Sequence, residues 1–191
     1  MWALVAGCSG DDATGAGEPD GSTSPTSSRP VFDDTAPPRT MLVQHNLWRP
    51  MDATTDPFDD RPAEVGCDIS GYAAEELAGE PVFAVIMRSC DYMTAQQPSL
   101  TDVVAGDELK IRFWHFELQS IDPDAEVHAA LSFDGDIVWE KTIPIPQDSG
   151  GLLSEVVTVD QDYPTGTPIE YHVHNHGLNE YFLIEFSRTD R

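Results

Sequence analysis

The chain is 191 residues long, 40% apolar and 9% aromatic, and carries a formal net charge of −24. That length and apolar share suit one core-forming domain plus a tail. The charge excludes a nucleic-acid partner, because so negative a field repels phosphate backbones. Residues 1–40 contribute only −4 of it, so the acids are spread along the remainder, where a solvated acidic surface is the plain reading and a calcium site the sharper one.

In chain order, residues 1–10 read MWALVAGCSG. Val5-Ala6-Gly7-Cys8 is an aliphatic residue and two small residues before a cysteine, and it resembles the bacterial lipobox. The resemblance implies cleavage before Cys8, acylation of its thiol, and a membrane partner reached through the lipid. The protein is then exported and held at the outer membrane or cell surface, the outer membrane being implied by Ser9 at the following position. Seven residues precede Cys8 and none is basic, so 1–8 reads as a truncated signal peptide whose true start lies upstream. Residues 9–40, rich in Gly, Ser, Thr, Pro and Asp, read as a disordered acidic linker. The globular domain is expected over 41–191. No apolar run approaches the roughly 18 residues of a membrane-spanning helix.

With Cys8 assigned to lipid, Cys67 and Cys90 remain. Neither lies in a CxxC or other metal-ligand spacing, and in an exported chain they are expected to form a disulfide.

Within the domain the pattern is β-like throughout. A first strand is expected near Met41–Gln44, then a Pro- and acid-rich loop to residue 66. Residues 73–78 read as one helical turn or a loop. Val82–Arg88 is β-branched and apolar, as in a buried strand. Strands follow at Leu109–Leu118, Glu126–Phe133, Ile137–Ile145, Leu152–Val159, Ile169–Asn175 and Tyr181–Arg188. Asp134-Gly135 marks a tight hairpin turn, and Gly106-Asp107, Asp122-Pro123-Asp124 and Pro164–Pro168 mark other turns. About eight short strands with regular turns predict an all-β, antiparallel, jelly-roll-like β-sandwich. The run from Cys90 through Asp107 to the closing strands looks like the jelly-roll-type domains of bacterial surface lipoproteins.

The sharpest chemistry lies in GTPIEYHVHNHGLNEYFLIEF, residues 166–186. Period-2 alternation puts Ile169, Tyr171 and Val173 on one strand face and Glu170, His172 and His174 on the other. Two imidazoles at i and i+2 lie some 6–7 Å apart and can converge on Zn, Cu, Fe or Ni. If the strand pairs with Tyr181–Arg188 as a hairpin, Phe182, Ile184 and Phe186 join the core face, and Glu170 lies opposite Glu185 as a candidate cation pair. Gly166, His172, His174 and Glu180 also partly resemble the first cupin motif, which implies metal ligation by the two histidines and Glu180. The gap before Glu180 is five residues, and no second motif follows. His176, His115 and His128 are further candidate ligands; His115 and His128 would face each other if their strands pair.

No GxSxG, P-loop, GxGxxG, HExxH or EF-hand motif is present, which leans away from an enzyme. The first reading is therefore a lipid-anchored cell-envelope protein whose non-catalytic sandwich binds a protein, glycan or ion. The alternatives are a Cu, Zn or Fe site at His172 and His174, and a carbohydrate-binding module using Trp48, Trp114 or Trp139 as a stacking platform.

Overall fold

A computed structural model describes residues 37–175 and 177–190. The lipobox-like segment with Cys8 and the expected linker, as far as residue 36, and His176 lie outside the described residues. Eleven strands are present among those described, with two short 3-10 turns and no α-helix. They run β1 (Arg39–Met41), β2 (Arg49–Pro50), β3 (Tyr72–Leu77), β4 (Glu80–Ile86), β5 (Tyr92–Pro98), β6 (Glu108–His115), β7 (Glu126–Phe133), β8 (Asp136–Pro144), β9 (Gly151–Thr158), β10 (Pro168–Asn175) and β11 (Glu180–Thr189). All pairings are antiparallel. No helix among the described residues is long and apolar enough to cross a membrane.

The strands form two sheets. One has the order β3-β4-β11-β6-β9, with β1 also pairing β11; the other has the order β2-β5-β10-β7-β8. The antiparallel sandwich expected from the strand pattern is therefore the observed fold. Its core is formed by inward residues of both sheets, including Phe83, Val85, Leu109, Ile111, Phe113, Val127, Ala129, Leu131, Ile169, Tyr171, Val173, Tyr181, Leu183 and Phe186. Alternation produces this directly: in Glu108–His115 every second residue is buried.

The Asp134-Gly135 turn is present, with φ of 49° and 85°, the positive pair that a two-residue type I′ hairpin needs. A second such turn was not legible. Residues 73–78 mostly form strand, because Ala78 and Gly79, at φ of 53° and 88°, reverse the chain so that β3 pairs with β4 along its length. Alanine and glutamate favour helix locally, but cross-strand pairing overrides that preference. The segment Tyr92–Pro98 is also a strand, and a central one. Both its faces are covered, so its alternation is masked: Tyr92, Met93, Thr94 and Ala95 are all buried.

The closing hairpin is not formed. β10 and β11 lie in different sheets, each flanked on both sides by other strands. The chain crosses the sandwich at residues 177–179. Asn179 fixes that crossing: its side-chain oxygen accepts the Gln119 backbone N–H at 2.8 Å and its amide donates to the Gln119 carbonyl at 3.2 Å. A Cβ on Gly177 would collide with the same Gln119 carbonyl, so this position requires glycine. The inward face of β11 is consequently Tyr181 and Leu183. After a bulge between Leu183 and Glu185 it continues at Phe186. Phe182 and Ile184 face outward, against Val82, Ala84, Leu77 and Trp114. Alternation identifies residues that share a face; it does not say which strand is the neighbour.

Candidate metal centre

The inward residues of β10 send its other side chains to the outer face of the second sheet. There His172 and His174 lie on one face, as the sequence predicts. β10 sits between β5 and β7, so its register decides what they meet. His174 is paired with His128 of β7 and Tyr92 of β5, and His172 with Thr94 of β5. Because Val127 and Ala129 point into the core, His128 points outward beside the other two.

The segment between β2 and Cys67 covers this face. One end continues from the short β2–β5 pairing. The other is tied down by the Cys67–Cys90 disulfide, closed across an isolated bridge two residues before Tyr92. Within the strap, buried Phe58 stacks on the His172 ring at 4.3 Å between centroids and 19° between planes. Two residues on, Asp60 places one carboxylate oxygen, Oδ2, among three imidazoles. It lies 2.9 Å from His128 Nδ1, 3.2 Å from His172 Nε2 and 3.1 Å from His174 Nδ1. Its other oxygen, Oδ1, is buried and has no hydrogen-bond partner among the described residues. The ligand atoms of Asp60, His128 and His172 all lie within 4.8 Å of one another.

Burial alone would raise the Asp60 carboxyl pKa. Hydrogen bonds from His172, His128 and His174 outweigh that and hold it well below the usual carboxylate range. Burial pushes the His172 imidazole down, against the pull of Asp60. An ionised Asp60 oxygen that accepts from three imidazoles brings three nitrogens and one oxygen to a single point, and a cation replacing those hydrogens would meet all four atoms there. Burial also raises the Tyr92 phenol, which keeps its hydroxyl a donor.

The remaining candidates are elsewhere. Glu180 begins β11 in the opposite sheet, opposite Ile86, so the partial cupin motif is not assembled as one site. His115 ends β6 in that same sheet, its Nδ1 2.6 Å from the Phe116 carbonyl; β6 and β7 do not pair, so His115 and His128 are not opposed. Glu170 and Glu185 are likewise separated. Buried Glu170 accepts from Ser132 Oγ at 2.7 Å and the Gly135 N–H at 3.3 Å, while Glu185 accepts from Ser187 Oγ. Burial raises the Glu170 pKa. Trp48 and Trp139 are 2% and 4% exposed and belong to the core; of the three tryptophans weighed as a platform, only Trp114 lies on an outer face. Asp60 was missed because it is one acid among four in residues 52–60. The strap's two anchors were the only local hint that this stretch lies against the sheet.

No protein-family model matches the chain, and no curated protein matches it. Solved structures do resemble it in fold. A family 28 carbohydrate-binding module specific for non-crystalline cellulose aligns over 81% of this chain and 97% of its own, at 11% identity and a TM-score of 0.47. A cyclase from Fischerella sp. TAU aligns over 78% and 87%, at 9% identity and a TM-score of 0.44. A family 29 carbohydrate-binding module aligns over 62% and 73%, at 15% identity and a TM-score of 0.35. These likenesses concern the β-sandwich fold alone.

Proposed function

We propose that this chain is an exported, lipid-anchored protein whose sandwich domain binds one divalent transition-metal ion, Zn(II) or Cu(II), through His128, His172, His174 and Asp60. The observation that carries this reading is the convergence of three imidazole nitrogens, from two adjacent strands, on one oxygen of a carboxylate whose other oxygen is buried and has no partner among the described residues. Asp60, His128 and His172 hold their ligand atoms within 4.8 Å of one another and form the core of the set, with His174 Nδ1, 3.1 Å from the same Asp60 oxygen, as an outlying fourth donor; nitrogens with one oxygen suit a borderline metal. Magnesium and calcium prefer all-oxygen shells. With all four positions supplied by protein, the site suits carriage, storage or fastening of the strap better than catalysis, which keeps a position open.

The test is metal analysis of tag-free full-length protein, followed by chelation and titration with Zn(II) and Cu(II). One equivalent bound, and lost in His172→Ala/His174→Ala, supports the reading. A chelated protein that takes up neither ion overturns it. Anchoring at Cys8 is tested separately by fatty-acid labelling in a bacterial host expressing the native gene: incorporation abolished by Cys8→Ser supports it, and unlabelled protein overturns it.

A second reading, glycan binding, is favoured by a different observation. On the outer face of the first sheet, Trp114 and Phe116 meet edge to face at 4.2 Å, Trp114 also packs on Phe182, and Phe116 is 46% exposed. Exposed aromatic rings of this kind can stack on sugar faces. Glycan-array binding abolished by Trp114→Ala supports it; an array without signal removes it.

A further inference from the structure

A sheet that ends in a free strand offers a row of unpaired N–H and C=O groups to any other strand. Proteins blunt such edges with charge, proline, bulges or short length. The strands at the edges of this sandwich follow that rule with one exception. In the second sheet, β2 is two residues long, and β8 carries Asp136, Glu140, Lys141 and Pro144. In the first, β3 carries Glu75 and Glu76, and β1, beside β11, is three residues long and begins with Arg39. The exception is β9. It runs eight residues, GLLSEVVT, with no proline and a single charge at Glu155.

β9 pairs with β6 from Gly151 to Thr158 without a register shift, and among the described residues no strand pairs its far edge. On its outer face Leu152 and Val156 are 50% and 48% exposed. Its inward residues Leu153 and Val157 pack on the core yet stay only partly buried, because no strand lies beyond them. Glu155 also points inward and is already engaged: it accepts from Trp139 Nε1 at 2.9 Å and pairs with Lys141 Nζ at 3.0 Å. The outer strip of the edge therefore carries no charge. It also ends an apolar row, since Phe182, Trp114 and Leu152 are successive cross-strand neighbours on that face.

We propose that β9 pairs antiparallel with β9 of a second copy of this chain, about a two-fold axis at Ser154, so that the two first sheets join edge to edge. Directly opposed residues of an antiparallel pair share a face, and a two-fold contact uses the same patch twice. An axis at Ser154 sets Leu152 opposite Val156 of the second copy, and Val156 opposite Leu152, which covers both exposed apolar side chains. Moving the axis to Leu153 or Glu155 sets Leu152 against Ser154 or Thr158 instead. The edge needs a strand with Leu and Val spaced four apart about a small polar residue, and β9 is itself such a strand. A basic strand would find no carboxylate on the outer strip to pair with. Two terms keep the association weak. One eight-residue edge is a small contact beside the roughly 1,200–2,000 Å² of stable interfaces, and each copy carries a net charge of −24, with Asp148 and Asp160 flanking the strand. Salt screens that repulsion, so the pairing strengthens as ionic strength rises.

Two measurements on the full chain test this. Sedimentation equilibrium over a range of protein and NaCl concentrations reads the mass. The expected result is a rise from one copy towards two with protein concentration, steeper at high salt and lost in Ser154→Lys, which sets two like charges face to face at the axis. Ser154 is exposed in the single copy, so that variant spares the fold. Cross-linking reads the register. In a Cys8→Ser background, Ser154→Cys is expected to give a disulfide-linked dimer on mild oxidation, because opposed Cα atoms about 4.5–5.5 Å apart suit that bond. Leu152→Cys in the same background is expected to stay unlinked, its two cysteines lying four residues out of register. A one-copy mass at every concentration and salt overturns the proposal, and the edge is then left to a different strand. A dimer that survives Ser154→Lys overturns it too, as does Leu152→Cys linking as readily as Ser154→Cys.

Discussion

His128 and His174 are direct cross-strand partners on β7 and β10, and each brings its Nδ1 to the same oxygen of Asp60, at 2.9 and 3.1 Å. Adjacent positions on neighbouring strands hold side chains about 5 Å apart. The pair is thus set by sheet register, and only Asp60 arrives from a loop. The other nitrogen of His128, Nε2, faces Glu140 at 3.6 Å from across β8.

Loss of either partner should remove a ligand and not merely a support. His128→Ala and His174→Ala are each expected to weaken metal binding by more than the roughly 10–100-fold typical of an outer-shell change. Competition titration measures this, and near-normal affinity in either variant removes that residue from the ligand set.

Because Asp60 links the strap to the sheet, metal binding should stabilise the fold. At a free metal concentration 100 times Kd, the gain is about 2.7 kcal/mol. For a domain of this size that corresponds to a rise in Tm of roughly 5–10 °C. Differential scanning calorimetry with and without Zn(II) or Cu(II) tests it. In Asp60→Ala the rise should largely disappear, and limited proteolysis should cut within residues 51–65 at the same rate with and without metal.

The Cys67–Cys90 bridge joins residues 23 apart in sequence and anchors one end of the strap. Its removal should cost about 3 kcal/mol in the chain-entropy picture. Urea unfolding of the Cys67→Ser/Cys90→Ser variant measures the cost. Metal affinity should fall in parallel, since a frayed strap holds Asp60 less firmly; an unchanged midpoint would show that the bridge adds no constraint.

His45 should give the domain an acid-side weakness. It is 7% exposed, and its Nε2 donates to the Ile184 carbonyl at 3.1 Å. Burial, opposed by that bond, lowers its pKa from the ordinary 6.5. The unfolded chain therefore binds this proton more tightly than the folded one. Its contribution to stability is full above about pH 6.5 and is lost as pH falls through the window down to the lower folded value. Unfolding of chelated His45→Gln should show a flatter pH dependence over that window than unsubstituted protein; superimposable curves would count against it.

Much of the architecture is local and so was legible. Alternating apolar residues in Glu108–His115 and the Asp134-Gly135 turn report strand and hairpin geometry that each short segment imposes on itself. Tyr92–Pro98 was not legible as a strand because burial on both sides erases alternation. The β10–β11 hairpin was misread for the converse reason: two apolar strands joined by a short loop look alike whether the loop stays in one sheet or crosses to the other. Here the Gln119 backbone, held by Asn179 far away in sequence, makes that choice.

The sequence by itself determined that His172 and His174 share one strand face, because strand side chains alternate with a fixed period of two. It also supplied the cysteine pair that closes the strap. Tertiary structure alone decided that His128 is their neighbour, that Glu180 and His115 are not, and that Asp60 completes the group. Strand order and the path of the strap are set by which faces bury together across the whole sandwich, and no local periodicity encodes that.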